Sequence, residues 1–133
     1  MAPGTDLSAL LRTLDPELRA GPFVFATVDR VPAGIDYVAV VVEEEATTLV
    51  VPREVADRHG FPYEFVAAMI TLRVHSSLAA VGLTAAVSSA LADAGISCNV
   101  IAGSFHDHLF VPPARVEDAM RCLGARGEGR RSP

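Results

Sequence analysis

The sequence has little of several things that specialised classes of protein require. Only two of its 133 residues are cysteine, too few for the disulfide framework of a small secreted domain. Acidic residues outnumber basic residues by 16 to 11, so a basic surface for nucleic-acid phosphates is not expected. No apolar run approaches the roughly 18 residues of a membrane-spanning helix. These absences argue against disulfide-rich secreted, nucleic-acid-binding and membrane-spanning proteins.

The start of the chain also lacks the features of a secretory signal peptide. Asp6 follows Met1–Gly4 almost at once, without a basic segment or an apolar run. Cys98 and Cys122 have no partner at a Cys-x-x-Cys spacing, so we expect two free, buried thiols. Together these points predict a cytoplasmic protein.

What the sequence does contain is apolar material. Half of the residues are hydrophobic and 20% are charged, which is enough for a packed core. The length suits one compact domain or two very small ones that share a core. The Gly- and Arg-containing end, residues 126–133, is expected to be a flexible tail.

The first half of the chain has the pattern of a short helix, three strands and a second helix. Asp6 is placed to cap an amphipathic helix over Leu7–Leu14. Apolar, β-branched runs then predict strands at 23–28, 37–42 and 47–51, with Glu43–Glu45 as a solvated turn. A short helix is expected over Arg53–Arg58, ended by Gly60. The aromatic segment Phe61–Phe65 is the best candidate for a linker, and we expect it to pack down.

The second half is more regularly patterned. A strand is predicted over Met69–His75 and a helix over Ala80–Ala94, with Gly95 at its end. The runs Ile96–Ala102 and His108–Val111 predict a hairpin, and Pro112-Pro113 opens a final helix. The order strand, helix, hairpin, helix builds an antiparallel sheet with helices on one face, which is an α+β fold. The first half has a similar scheme without its first strand.

One segment of the second half resembles a known signature. In the run from Gly82 to Ser97, a Gly opens the helix and Leu-Ala-x-x-Gly-Ile leads into the next strand, as in ACT domains. The flanking segments are similar to a small bacterial family of tandem ACT-like domains, related to the regulatory region of aspartate kinases. These segments are Val74–Leu78, His106–Pro112, Leu49–Arg53 and Tyr63–Phe65. The chain departs from the signature at Val81, where many ACT loops carry Pro.

The resemblance implies a ferredoxin-like ACT fold in two halves. Residues 1–65 would be an N-terminal ACT-like half, and residues 66–125 would be an ACT domain of the βαββα type. ACT domains are amino-acid-responsive regulatory modules that pair side by side, and ligands sit between domains against the first strand-to-helix loop. The resemblance therefore implies a non-catalytic regulatory homodimer without a cofactor, whose ligand is a small molecule and most simply an amino acid.

The residues carried over as the ligand site lie on that loop and on the second strand of a neighbouring sheet. They are His75, Ser76, Ser77, Leu78, Val81, Gly82, Leu83, Asn99 and Val100. The unpaired amides at a helix start suit a carboxylate, while carbonyl or amide oxygens of Asn99 and Val100 suit an ammonium group. Two simpler interpretations stay open: Ser77 caps the helix, and Gly82 serves only close packing against the sheet.

Two other functions stay open beside the amino-acid sensor. One is a module that dimerises or docks on a partner without a ligand. The other is a metal-dependent enzyme using His75, His106 and His108, although a polar hairpin turn without a metal is the preferred interpretation of His106-Asp107-His108. The chain has no Gly-x-Ser-x-Gly elbow, phosphate loop or dinucleotide fingerprint, so an enzyme is not expected.

Overall fold

The computed structural model describes residues 13–73, 82–124 and 130–131, and these residues form two compact units. Gly21–Ala67 forms the inserted unit, and the described residues on both sides of it form the split unit. The described strands are β1 (Pro16–Leu18), β2 (Phe23–Val28), β3 (Ala39–Val42), β4 (Thr47–Pro52), β5 (Tyr63–Leu72), β6 (Asn99–Ala102), β7 (Asp107–Val111) and β8 (Arg130–Arg131). The described α-helices are α1 (Arg53–His59), α2 (Leu83–Asp93) and α3 (Val116–Cys122).

The sheet of the inserted unit has the order β3-β4-β2-β5, and every neighbouring pair is antiparallel. Alternate residues of β2 and β4 turn to one side of the sheet and pack with the buried residues of α1. The resulting core consists of Val24, Ala26, Val28, Leu49, Val51, Val55 and Ala56. The predicted helix after Pro52 is confirmed, and Gly60 ends it with a φ of 70°.

The turn between β3 and β4 is also as predicted. Glu43, Glu44 and Glu45 are all exposed, and the amide of Glu43 donates to the Ala46 carbonyl at 3.0 Å. Water therefore solvates this run of three negative charges at low cost.

The segment Phe61–Phe65 packs down, as expected, but most of it belongs to a strand and it is not a linker. Tyr63–Phe65 opens β5, which runs for ten residues and ends at Leu72, three residues before the predicted end. The first part of β5 pairs with β2, and Phe61 packs against the core of the inserted unit. Pairing with a strand some forty residues earlier makes this segment part of a sheet.

The sheet of the split unit has the order β6-β7-β5-β1-β8. β5 is antiparallel to both β7 and β1, whereas β8 is parallel to β1. Helices α2 and α3 contact each other and cover one face of this sheet. The fully buried residues of that core include Leu14, Ile70, Leu72, Val87, Leu91, Leu109, Val111 and Leu123.

The predicted helices of the second half are confirmed in the described residues. Helix α2 ends at Asp93, and Gly95 follows it with a φ of 73°. A 3-10 turn over Pro113–Arg115 precedes α3, whose buried stripe contains Ala119 and Met120, as expected. Most of the predicted helix over Leu7–Leu14 lies outside the described residues.

Both units have a mainly antiparallel sheet with helical packing on one face, which confirms the predicted α+β class. In each sheet, the first strand of the unit's β-hairpin lies at an edge and the second strand lies in the interior. In the split unit that edge strand is β6, which carries two of the predicted ligand residues.

Candidate functional site

The start of helix α2 is the part of the predicted ligand loop that the structure describes. Gly82 occupies the N-cap position with φ 112° and ψ −37°, and no side-chain hydrogen bond caps the helix. A φ of this size is strained for residues with a side chain, so glycine is required here for conformational reasons. The first amides of α2 therefore have no capping side chain among the described residues.

Close packing does not explain Gly82. A Cβ atom built at this position meets no atom of the described chain within 4 Å, and the residue is exposed. The described residues therefore give no support to the interpretation that Gly82 serves only close helix–sheet packing. Leu83, the next residue, is half-buried and packs against the core of the split unit.

Five of the predicted site residues lie outside the described part of the chain. They are His75, Ser76, Ser77, Leu78 and Val81. Their place in a ligand site stays a prediction, and so does the role of Ser77 as a helix cap.

Asn99 and Val100, the remaining two site residues, begin the edge strand β6. Asn99 is exposed and lies opposite Phe110 of β7, while Val100 is half-buried against the core. Among the described strands β6 pairs only with β7, so its other edge keeps free backbone donors and acceptors. These groups are of the kind that an ammonium group or another strand would bind.

Arg115 fixes the opposite end of α2. Its guanidinium group donates to the carbonyl oxygens of Ala94, at 3.1 Å, and Gly95, at 3.4 Å. Its Nε also donates to Asp118 of α3 at 3.2 Å. One side chain thus binds the carbonyl end of α2 to α3, which holds the axis of α2 and with it the position of Gly82.

A row of polar residues crosses the opposite face of the same sheet. Glu17, Thr71 and His108 are direct cross-strand neighbours on β1, β5 and β7. The Thr71 hydroxyl and His108 Nδ1 form a 3.0 Å hydrogen bond, and Arg73 Nε donates to Glu17 at 2.6 Å. Sequence reasoning missed this row because it depends on the pairing of three strands.

Burial lowers the pKa of His108 below its ordinary value of 6.5. The positive charges of Arg19 and Arg73, together with His106, act in the same direction, while Asp107 opposes them. His108 is therefore held neutral, and its Nδ1 is committed to Thr71.

The described residues do not form a metal site by themselves. No group of three or more His, Cys, Asp or Glu residues that could hold a metal ion occurs in the ranges given above. His106 Nδ1 is buried without a hydrogen-bond partner there. His75, the third ligand of the metal hypothesis, lies outside the described ranges.

Both cysteines are free, as predicted, although each is only half-buried. Burial raises the pKa of Cys98, and a backbone hydrogen bond from Phe110 opposes that shift. The thiol therefore stays protonated, which suits a packing role better than a nucleophilic one. No helix in the described ranges is long and apolar enough to cross a membrane.

Comparison with known proteins agrees with this architecture. Residues 3–68 and residues 64–125 each match a family model described as an ACT domain. No curated protein matches the sequence. ACT domains are regulatory, so neither match indicates a catalytic domain.

Solved structures with similar folds are found across the chain. A protein of unknown function from Vibrio cholerae, described as a possible transport protein, has 43% identity and a TM-score of 0.79, with 89% of this chain and 93% of that protein covered. A protein from Agrobacterium tumefaciens has 18% identity and a TM-score of 0.67, with 88% and 89% covered. The ligand-free regulatory subunit of aspartate kinase from Thermus thermophilus has 11% identity and a TM-score of 0.57, with 77% and 89% covered.

The last two likenesses concern the fold alone, because so few residues are identical. The two family matches, which together span residues 3–125, carry the assignment further. The chain belongs to the ACT-domain family and is a tandem ACT-domain protein, and its fold is similar to that of the regulatory subunit of aspartate kinase.

Proposed function

We propose that this protein is a non-catalytic regulator that binds a small molecule, most simply an amino acid, at the loop before helix α2. The observation that supports this proposal most is that no described side chain caps the start of α2 at Gly82. The site would comprise His75, Ser76, Ser77, Leu78, Val81, Gly82 and Leu83, with Asn99 and Val100 of a neighbouring domain.

The chemistry of an α-amino acid suits these groups. A helix start combines unpaired N–H donors with a positive partial charge, which favours a carboxylate. The missing side chain at Gly82 lets that carboxylate approach the backbone closely. The free edge of β6, with the exposed amide group of Asn99, offers oxygen acceptors for the ammonium group.

A homodimer forms part of the proposal, because Asn99 and Val100 are assigned to a neighbouring domain. An edge strand with free donors and acceptors supports association of two copies. A ligand bound between copies would then shift the assembly equilibrium by its differential affinity. The likeness to the regulatory subunit of aspartate kinase supports a regulatory role. Two free cysteines support a cytoplasmic location.

A thermal-shift screen against the twenty amino acids tests the proposal. A ligand present at 100 times its dissociation constant stabilises a folded protein by about 2.7 kcal/mol, which is easily measured. One or a few amino acids should raise the melting temperature of the wild type. Gly82→Ala should abolish that response, because its methyl group strains the backbone and obstructs the first amides.

Gly60→Ala is the matched control. Gly60 also has a positive φ and ends a helix, but it lies in the inserted unit. This variant should lose stability and still respond to the ligand. A flat response of the wild type to all twenty amino acids would instead favour the alternative function, a ligand-free dimerisation or docking module.

The metal-dependent enzyme is the less favoured alternative, and its test is separate. Elemental analysis of untagged protein decides it, because a site formed by His75, His106 and His108 would retain a transition metal through purification. We expect no such metal at stoichiometric level.

A further inference from the structure

A groove of about 440 Å³ opens on the inserted unit where β5 meets β2. Three aromatic rings, a proline, a threonine and one carboxylate line it: Phe25, Thr27, Pro62, Tyr63, Glu64 and Phe65. Its volume lies within the range of small-molecule sites in proteins. None of these six residues belongs to the proposed ligand loop.

A β-bulge shapes the groove. Phe25 pairs with Phe65, but the next residue, Ala26, pairs with Tyr63, so Glu64 is the extra residue on β5. A bulge bends its strand and redirects the side chain that it carries, and bulges are frequent beside binding sites. The carboxylate of Glu64 is consequently placed beside the aromatic pair.

The aromatic walls are held in place before any ligand arrives. The rings of Phe25 and Phe65 meet edge to face, with centroids 5.4 Å apart at 62°. The Tyr63 hydroxyl donates to Asp57 at 2.7 Å and accepts from Arg53 at 3.1 Å. Such fixed rings lose little conformational freedom when a ligand packs against them.

The charge in the groove has one sign. Glu64 is exposed, its side chain makes no hydrogen bond or ion pair with the described residues, and no lining residue is basic. Aromatic faces carry partial negative charge and attract cations, and a carboxylate beside them adds a full counter-charge. The Arg53 guanidinium carbon already lies 6.0 Å from the Tyr63 ring centroid, although Arg53 does not line the groove.

We propose that this groove binds a small organic cation of the substituted-ammonium class. The rings of Phe25 and Phe65 would pack against its alkyl groups, and Glu64 would neutralise its charge. Anionic ligands are disfavoured because the groove offers them no cation.

A pair of isosteric probes tests the charge preference. The full-length protein is titrated with choline and with 3,3-dimethyl-1-butanol, which has the same shape without the charge, and amide NMR shifts are recorded at matched ionic strength. Choline should shift residues 25, 27 and 63–65 and bind at least about 5-fold more tightly than the alcohol. Equal binding of the two probes, or no shift with choline to about 50 mM, would overturn the proposal.

Two variants locate the interaction. Glu64→Gln should weaken choline binding about 5-fold, while Glu44→Gln, which removes the same charge from the exposed turn after β3, should leave it unchanged. Phe65→Leu, which keeps an apolar side chain but removes the ring, should weaken it about 3-fold. Equal effects of the two glutamate variants would show a non-specific effect of net charge and contradict a site in the groove.

Discussion

Thr71 and His108 face each other across the β5–β7 pair, and the Thr71 hydroxyl lies 3.0 Å from His108 Nδ1. Thr71 is fully buried, so its hydroxyl depends on this bond. The pair connects two strands on the sheet face opposite α2 and α3. It thereby stabilises the sheet that carries β6.

Removing the Thr71 hydroxyl should therefore destabilise the protein. Thr71→Val keeps the shape but leaves His108 Nδ1 without its partner, and we expect a loss of about 1 to 2 kcal/mol in urea unfolding. In a double-mutant cycle with His108→Gln, the two substitutions should couple by at least about 0.5 kcal/mol. Additive effects would mean that the bond contributes nothing to stability.

The lowered pKa of His108 predicts how stability varies with pH. Between its folded-state pKa and its ordinary value of 6.5, the unfolded chain binds more protons at this residue. The contribution of His108 is therefore fully present above pH 6.5 and is lost as the pH falls toward the folded-state pKa. Unfolding measured between pH 7.5 and about 5 should show this loss.

Replacing His108 by Gln should flatten that pH dependence. His59→Gln is the control, because His59 is an exposed residue that stacks on Phe61 in the inserted unit. If the His108 variant retains the slope of the wild type, another group is responsible for it.

The Glu17–Arg73 ion pair predicts that a conservative substitution of Glu17 on β1 lowers the stability of the protein substantially. Glu17 is 7% exposed, and Glu17→Gln would leave the guanidinium group of Arg73 without its charged partner. We expect a loss of about 1 to 3 kcal/mol in chemical unfolding. Adding Arg73→Met should recover part of it, since the unpaired charge is then removed. A Glu17→Gln variant as stable as the wild type would contradict this role.

Arg115 predicts a difference between arginine and lysine. Arg115→Lys cannot reach both carbonyls of the α2 end and Asp118 together, so we expect a loss of about 1 kcal/mol. Arg121→Lys is the control, because the exposed Arg121 side chain contacts Asp118 and no other charged partner among the described residues, and its loss should stay within about 0.5 kcal/mol. Equal losses would argue against the bridge.

Local signals in the sequence predicted the helices and the turns. Gly60 and Gly95 end α1 and α2 because each adopts a positive φ, and the Glu43–Glu45 turn is solvated because nothing apolar lies there. These features depend on neighbours within a few residues, so they can be predicted from the sequence without knowledge of the fold.

Features that depend on distant pairing escaped sequence reasoning. Pro16–Leu18 has no strand pattern of its own and becomes β1 by pairing with residues 70–72. Tyr63 likewise lies in a segment without a strand pattern, and it belongs to β5 because it pairs with Ala26 of β2. Strand register determines the bulge at Glu64 and the polar row across β1, β5 and β7. Local sequence patterns do not predict that register.

One part of the candidate site was predictable from local sequence, and another part was not. The role of Gly82 at the start of α2 follows from a local pattern, and the structure gives its cause in a φ of 112°. The exposed position of Asn99 on an edge strand required the sheet order, because strand β6 is an edge only once β7 has paired with β5.

Amide chemical shifts of the isotope-labelled protein, recorded during titration with each amino acid that raises its melting temperature, test the central claim most directly. The account predicts that the largest changes fall on Gly82, Leu83 and Thr84, with further changes at Asn99 and Val100. Changes confined to other parts of the chain, or no response to any amino acid, would contradict binding at the start of α2.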